Sequence, residues 1–355
     1  MNLKIGIVGL PNAGKSTLFN ALLKKQTALA ANYPFATIEP NIGIVAVPDA
    51  RLEKLADIVE KTEGKRPPIK PATVEFVDIA GLVAGASTGE GLGNKFLSHI
   101  REVDVICHVT RYFEDADVIH VAGDVNPERD QVIIETELIL ADLQTLQKQV
   151  ETRNTKDKRL IRKWELINTL KVGLNDGKRA NTIIVDHEDA DIISDLNLLT
   201  MKPTIFVRNV SEVQSLVPTK SGDNEVIISA KIESELSLLS DTEQKEYLSS
   251  LGWDSSGLDR LIQLAYRKLG LISFLTCGII ESRAWTIKRG TLAPLAAGTI
   301  HTDFEKKFIK ADIVKFDDFV SLGGWVKARE VGKVRLEGKT YEMQDGDVVE
   351  FKIGA

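Results

Sequence analysis

The feature that most constrains the fold of this 355-residue chain is the octapeptide Gly9–Ser16, which matches the pattern GxxxxGK[ST]. It follows a short apolar run, Lys4–Val8, and precedes a helical run, Thr17–Lys24. Glycines let such a loop curl so that successive backbone N–H groups face phosphate oxygens at the start of a helix. A strand, this loop and a helix in that order form the context that a phosphate-binding loop requires. The octapeptide therefore predicts that the chain binds a purine nucleoside triphosphate with magnesium and hydrolyses it.

Short β-rich runs alternate with helical patterns on both sides of this loop. They are Lys4–Val8, Thr73–Asp78, Val105–Thr110, Thr204–Asn209 and Val226–Ser229. Such alternation is typical of an α/β domain with a mainly parallel sheet. We therefore expect a P-loop NTPase domain built from residues 1–125 and 182–273.

The loop residues have separate tasks in phosphate binding. Lys15 is expected to neutralise the β- and γ-phosphates and to serve catalysis, and the Ser16 hydroxyl is expected to bind Mg²⁺. The predicted phosphate contacts are Asn12, Ala13, Gly14, Lys15, Ser16 and Thr17.

A second motif, Asp78-Ile79-Ala80-Gly81, follows the second core strand and has the form DxxG. In this element the aspartate holds magnesium through water, and the glycine N–H contacts the γ-phosphate. Thr37 lies between the two motifs, where a first switch would close on the metal. Thr27 is its rival, but it lies near the end of the first helix. We expect the metal ligands to be Ser16, Thr37 and, through water, Asp78.

The residues expected at the base differ from the guanine-binding pattern NKxD. After the strand Thr204–Val207 the chain has Asn209-Val210-Ser211-Glu212, which lacks the lysine and lengthens the carboxylate by one methylene. A site that pairs guanine donors loses discrimination when its acceptor is displaced, whereas adenine has no N2 amine to satisfy. This favours ATP over GTP, with Asn209 free to serve the N6 and N7 edge. The predicted base-pocket residues are Asn209, Val210, Glu212, Ser229 and Ala230.

The group that activates the attacking water is not evident from the motifs. Leu82 occupies the position after DxxG where small GTPases have a glutamine, and a leucine cannot hydrogen-bond water. His120 follows the third core strand and is a candidate for this task, although a packed or solvated histidine fits the spacing equally well.

Residues 126–181 predict a helical hairpin inserted into the domain. Asn126 and Pro127 form a good helix start, and two apolar seams follow, at positions 132–150 and 160–174. We expect an antiparallel pair of helices that projects from the α/β body. Its turn is basic, with Arg153, Lys156, Lys158, Arg159, Arg162 and Lys163. The turn is either a phosphate-binding tip or a merely solvated end.

Residues 274–355 show short alternating runs separated by turn signals. The runs are 275–281, 284–287, 333–336 and 348–352, with turns at 336–339 and 344–347. A small β-grasp-like module with a mixed sheet fits this pattern.

Composition excludes several other classes of protein. A net charge of -6 and a pI of about 5.6 argue against a chain that coats nucleic acid over its whole surface. Two cysteines in apolar runs argue against a disulfide framework and favour a reducing cytoplasm. No apolar stretch approaches the roughly 18 to 20 residues that cross a bilayer, so no membrane is expected.

The phosphate loop, Asn32–Asn41, the DxxG element, Gly89–Asn94 and Asn209–Glu212 together resemble the YchF/Obg-like ATPase family, essentially from end to end. The C-terminal segments 283–286, 296–298, 300–304 and 344–347 are similar to that family's TGS domain. One departure is the helical arm, which is shorter than in family members. A second departure is Ala36, which stands where family members more usually have cysteine or threonine.

The resemblance implies an ATPase with slow intrinsic turnover, a coiled-coil arm and association with the ribosome through a subunit or its rRNA, in translation or stress regulation. It implies no sequence-specific DNA partner. It also implies that Leu82 replaces the catalytic glutamine, that His120 is a catalytic candidate, and that Asn12 matches a residue that in some relatives helps hold K⁺. Two alternatives remain: a nucleotide-gated protein-binding module with incidental turnover, and a GTPase.

Overall fold

The computed structural model describes residues 3–30, 41–79, 92–114, 124–152, 155–215 and 222–354. The chain forms two compact units. The first comprises Met1–Val45 and Glu75–Leu261, and the second comprises Ala46–Val74 and Ile262–Ala355. Residues 46–74, which the sequence pattern assigned to the nucleotide-binding domain, thus group with the C-terminal residues, and the hairpin 126–181 is part of the first unit.

The strands and helices have the following bounds. The strands are β1 Lys4–Val8, β2 Ile42–Ala46, β3 Ile69–Lys70, β4 Thr73–Asp78, β5 Val105–Arg111, β6 Thr204–Asn209, β7 Glu225–Ile228, β8 Leu271–Cys277, β9 Ser282–Lys288, β10 Phe308–Lys315, β11 Arg335–Glu337 and β12 Asp347–Ile353. The helices are α1 Lys15–Ala30, α2 Arg51–Glu63, α3 Leu92–Arg101, α4 Pro127–Gln147, α5 Lys158–Asn175, α6 Ala180–Ile183, α7 His187–Ile192, α8 Glu212–Ser215, α9 Ala230–Leu236, α10 Asp241–Ser250, α11 Gly257–Lys268, α12 Ala293–Ile300, α13 Thr302–Lys306, α14 Phe316–Leu322 and α15 Trp325–Glu330. Short 3₁₀ turns lie at Ser194–Leu196 and Leu199–Met201.

The first sheet has the strand order β2-β4-β1-β5-β6-β7. The pairs β1–β4, β1–β5, β5–β6 and β6–β7 are all parallel, which confirms the predicted mainly parallel sheet. Every residue of β5 is buried, as expected of a central parallel strand that is covered on both faces. The residues Gly9, Ile79, Tyr112 and Val210 follow the carboxyl ends of β1, β4, β5 and β6. The phosphate loop, the described start of the DxxG element and the predicted base-pocket segment therefore begin at one edge of the sheet.

The inserted hairpin begins as predicted but is anchored to the sheet. The Asn126 side chain accepts a hydrogen bond from the Arg129 N–H at 3.0 Å, which caps α4. On one side of α4, Ile134 and Leu138 pack in the same buried cluster as Val8 and Ile106. The expectation that the hairpin projects from the body is therefore wrong for α4, because its apolar residues cover the sheet.

The second side of α4 packs on α5. Ile139, Leu143 and Leu146 of α4 share a buried cluster with Ile167 and other α5 residues. These positions confirm the central part of the predicted seams. Val132 and Val150, at the two ends of the first seam, are exposed.

The basic turn of the hairpin is partly neutralised by the chain that follows it. Arg162 forms an ion pair with Asp189 at 2.6 Å, and Lys163 forms one with Asp195 at 2.6 Å. Among the described residues of the turn, this leaves the exposed cations Lys156, Lys158 and Arg159, while Arg153 lies outside the described part of the chain.

The second unit contains a sheet of order β11-β10-β12-β8-β9-β3. β10 pairs antiparallel with β11 and β12, β8 pairs antiparallel with β9, and β12 and β8 are parallel, so the sheet is mixed, as predicted. Phe274 is fully buried at its centre and meets Phe351 edge to face at 5.6 Å. β10 was missed by the sequence pattern, and β3 comes from the segment 46–74.

No helix in the described ranges combines the length and the apolar character needed to span a bilayer.

The anchoring of α4 predicts unequal effects of two substitutions on that helix. Ile134 is 1% exposed, so Ile134→Ala should lower the free energy of unfolding by about 2 to 5 kcal/mol, because it removes core contacts and leaves a cavity. Val132 is 59% exposed, so Val132→Ala should change it by less than about 0.5 kcal/mol. Urea titrations followed by circular dichroism would measure both. Equal, small effects would mean that α4 does not cover the sheet.

Candidate nucleotide-binding site

The phosphate loop turns sharply between β1 and α1, at positions that require glycine. Gly14 has φ +98°, and a Cβ there would lie 2.1 Å from Asn209 Nδ2. A Cβ on Gly9 would lie 2.4 Å from the Val109 carbonyl oxygen. Asn12 adopts φ +63°, a conformation that asparagine tolerates better than most residues. These constraints explain the glycines of the motif through packing, in addition to phosphate access.

Lys15, the first residue of α1, is 8% exposed. Its ammonium donates a hydrogen bond to the Leu10 carbonyl oxygen at 2.8 Å, so the side chain folds back across the loop. Burial lowers the pKa of Lys15, and the negative charge of Asp78 opposes this shift. A phosphate group at the loop would act in the same direction as Asp78 and stabilise the charged lysine.

Asp78, at the end of β4, has a buried oxygen that no described residue satisfies. Among the residues that the structure describes, its Oδ1 atom has no hydrogen-bond partner. Burial raises the pKa of this carboxyl, and the Lys15 ammonium lowers it. An unsatisfied buried oxygen is costly, so this carboxylate is suited to a hydrated cation or an ordered water.

Asn209, the last residue of β6, connects two loops of the site. Its amide nitrogen donates to the Ala13 carbonyl oxygen at 3.0 Å, and its amide oxygen accepts from the Ala230 N–H at 3.0 Å. The side chain is 3% exposed. The sequence pattern assigned this amide to the edge of the base, but in the structure it joins the phosphate loop to the loop after β7.

A cavity of about 650 Å³ opens between these loops. Its volume falls within the range of roughly 300 to 1,000 Å³ that is usual for small-molecule sites. Most of the predicted nucleotide contacts line it: Asn12, Gly14, Lys15, Ser16, Thr17, Asn209, Val210, Glu212, Ser229 and Ala230. Ala13 is buried behind the loop and contributes its carbonyl oxygen to Asn209.

Phe113 and Glu114 also line the cavity, although the sequence pattern did not single them out. They follow β5, and the rule that ligands bind beyond the carboxyl ends of parallel strands could have indicated them. The buried Arg111 holds this segment: its Nε donates to the Phe113 carbonyl oxygen at 2.9 Å, and its guanidinium lies 4.7 Å from the centre of the Phe113 ring.

Glu212 forms an ion pair at the rim of the cavity. It begins α8, and its carboxylate oxygens lie 3.1 and 3.2 Å from the Lys231 ammonium, which belongs to α9. The carboxylate that would have to accept guanine N–H groups is thus already bound by a lysine of α9.

Several predicted site residues lie outside the described residues. These are Thr37, Gly81, Leu82 and His120, and the side chain of Thr27 is likewise not described. Their assignments to magnesium, to the γ-phosphate and to catalysis stay predictions.

Two family models match the chain. Residues 4–156 match the model described as 50S ribosome-binding GTPase, and residues 271–354 match YchF-GTPase_C, described as a protein of unknown function. The chain is 47% identical to the ribosome-binding ATPase YchF of Bacillus subtilis and 45% identical to that of Escherichia coli O157:H7, each over 99% of both chains. A solved structure of the YchF GTPase of Schizosaccharomyces pombe is 38% identical, with a TM-score of 0.86 over 99% of this chain and 98% of that one. The chain therefore belongs to the YchF family.

Proposed function

We propose that this protein hydrolyses ATP with magnesium and that its nucleotide state controls its association with the ribosome in the cytoplasm, in translation or stress regulation. The observation that carries the hydrolase proposal is the cavity lined by the phosphate loop and Lys15. The Asp78 carboxylate does not line this cavity, but its charge acts on the pKa of Lys15. Relatives that match over 99% of their length are named ribosome-binding ATPases, which supports both parts of the proposal.

Magnesium fits the residues of this site. The Ser16 hydroxyl would bind it directly and Asp78 through water, with Thr37 as a third group. The buried Asp78 oxygen without a partner supports this assignment, because a hydrated cation would satisfy it. When bound, the ion neutralises charge on the β- and γ-phosphates. We also propose that Asn12, which lines the cavity, helps to hold K⁺.

The preference for ATP is supported by the ion pair between Glu212 and Lys231. A guanine base would have to draw the carboxylate away from Lys231 to satisfy its N1–H and N2 amine. An adenine base presents no such pair of donors, so the ion pair can persist beside it. The pair is half exposed, so its effect on discrimination is modest. The name GTPase, carried by one family model and the fission yeast structure, keeps GTP as the competing substrate to test.

Intrinsic turnover is proposed to be slow. Leu82 stands where small GTPases have a glutamine, and a leucine side chain cannot orient a water molecule. His120 is the proposed catalytic group, and a ribosomal partner could supply or order the missing contact.

The magnesium assignment predicts the effect of Asp78→Asn. The amide would hold the hydrated ion less well, so Mg²⁺-dependent ATP hydrolysis should fall by about 10- to 100-fold. In Asp78→Asn, nucleotide binding without magnesium should change little. Lys15→Ala, by contrast, should weaken nucleotide binding. Hydrolysis is measured across a magnesium titration, with the exposed Asp223→Asn as the matched control. An unchanged magnesium dependence in Asp78→Asn would remove this residue from the metal site.

The base assignment predicts the effect of Lys231→Met. Release of the Glu212 carboxylate should tighten GTP binding relative to ATP binding by about two- to fivefold. Titrations with labelled ATP and GTP give the ratio of the two Kd values, and Lys178→Met, an exposed lysine outside the cavity, is the control. If the wild-type protein binds GTP as tightly as ATP, the ATP proposal fails, whatever the variant does.

The ribosome proposal predicts cosedimentation that depends on nucleotide and salt. Binding should differ between a non-hydrolysable ATP analogue and ADP, and should weaken as salt rises if cations contact rRNA. Changing Lys156, Lys158 and Arg159 to Gln should reduce the salt dependence. A control with Lys54, Lys61 and Lys65 changed to Gln removes equal charge from the second unit. Binding indifferent to both nucleotide and salt would favour a protein-binding module with incidental turnover.

A further inference from the structure

A second cavity, of about 390 Å³, lies within the second unit. It is bounded by the chain segment 47–51 that precedes and begins α2, by the end of α11, by the start of β8 and by Arg289 after β9. It shares no lining residue with the nucleotide cavity. Its volume is within the range of small-molecule sites.

The two carboxylates that line this cavity are already occupied. Asp49 accepts hydrogen bonds from Arg51 Nε at 2.8 Å and from its terminal nitrogen at 2.7 Å. Asp345 accepts from the other Arg51 nitrogen at 2.9 Å and from the Ser273 N–H at 2.9 Å. Arg51 and both acids thus form a closed set, which leaves no acidic group in the lining for another cation.

Two further arginines line the same cavity, and neither has a partner among the described residues. The guanidinium groups of Arg267, in the last turn of α11, and Arg289, after β9, form no hydrogen bond, ion pair or ring contact within the described ranges. Both side chains are exposed to solvent. Two like charges on one cavity repel each other, and a bound anion would remove this repulsion.

The remaining wall is apolar. Val47, Leu271 and Ile272 are each less than a tenth exposed, and Pro48 lies beside Val47. The neighbouring Tyr266 hydroxyl is satisfied inside the protein, by Ser273 Oγ at 2.8 Å and by Thr286 at 3.1 Å. The wall can therefore make apolar contacts with a ligand, and the two arginines can bind its charged group.

We propose that this cavity binds a phosphate group carried by a compact organic moiety of nucleotide size. The forked guanidinium groups of Arg267 and Arg289 match phosphate oxygens in two-point hydrogen bonds, and the wall of Val47, Leu271 and Pro48 packs against the moiety. A free mononucleotide and the phosphorylated end of an RNA chain share this chemistry. The inference does not depend on the identity of the nucleotide hydrolysed in the first unit.

The test uses the full-length protein with its nucleotide cavity filled by one molar equivalent of non-hydrolysable ATP analogue and Mg²⁺, so that no excess of the analogue competes for the second cavity. The probe is a 5′-phosphorylated RNA pentanucleotide labelled at its 3′ end, followed by fluorescence polarisation. Arg267→Gln combined with Arg289→Gln should weaken its binding at least about tenfold, because two charge-assisted contacts are lost. Lys306→Gln combined with Lys307→Gln removes the same charge from the same unit and should leave the affinity within about twofold.

Competition identifies the source of the phosphate. If AMP displaces the probe from the wild-type protein, and the Arg267→Gln, Arg289→Gln variant has lost probe binding, the ligand is a free nucleotide. If AMP does not displace the probe, and the same variant has lost probe binding, the ligand is an RNA end. Arg267→Lys with Arg289→Lys keeps the charge but loses the fork, and should give intermediate affinity. The proposal would be overturned if the wild-type protein did not bind the probe. It would also be overturned if the Arg267→Gln, Arg289→Gln variant and the Lys306→Gln, Lys307→Gln control bound the probe equally well. ATP hydrolysis, measured on the same variants, tests the proposed function separately.

Discussion

The nucleotide site depends on one buried amide. Asn209 binds the Ala13 carbonyl oxygen and the Ala230 N–H at the same time. It therefore joins the phosphate loop to the segment that follows β7, although Ala13 and Ala230 are 217 residues apart in the sequence. The phosphate loop has no regular structure up to α1, and Ala230 is the first residue of α9. A single side chain that is 3% exposed thus sets the width of the cavity between them. The close approach of Asn209 to Gly14 makes glycine necessary at that position as well.

The parts of the molecule that could be predicted are those in which local sequence and tertiary structure agree. The phosphate loop, the parallel strands and the cap at Asn126 each have a local physical cause, namely backbone freedom, alternation of strands with helices, and a side chain that accepts a helix N–H. The structure contains each of them. The mixed C-terminal sheet was also indicated by short runs between turn signals.

The parts that were missed depend on contacts distant in sequence. No local pattern shows that residues 46–74 group with the C-terminal residues, since their strand β3 pairs with β9 more than 200 residues later. The apolar seam of α4 was correctly predicted as buried at its centre, but an amphipathic period does not say which surface covers it. For the same reason the ion pairs that neutralise Arg162 and Lys163 could not be read from their own helix. The pairing of Glu212 with Lys231 likewise became visible only in three dimensions.

The packing of α4 has a mechanical consequence. The buried cluster that receives Ile134 and Leu138 also contains Leu10 of the phosphate loop and Ile79 of the DxxG element. A close-packed interior transmits displacement because it has few voids to absorb it. Helix α4 is therefore packed directly against one residue of each of the two predicted phosphate-binding motifs. A displacement of α4 would therefore be felt by Leu10 and Ile79 through side-chain packing.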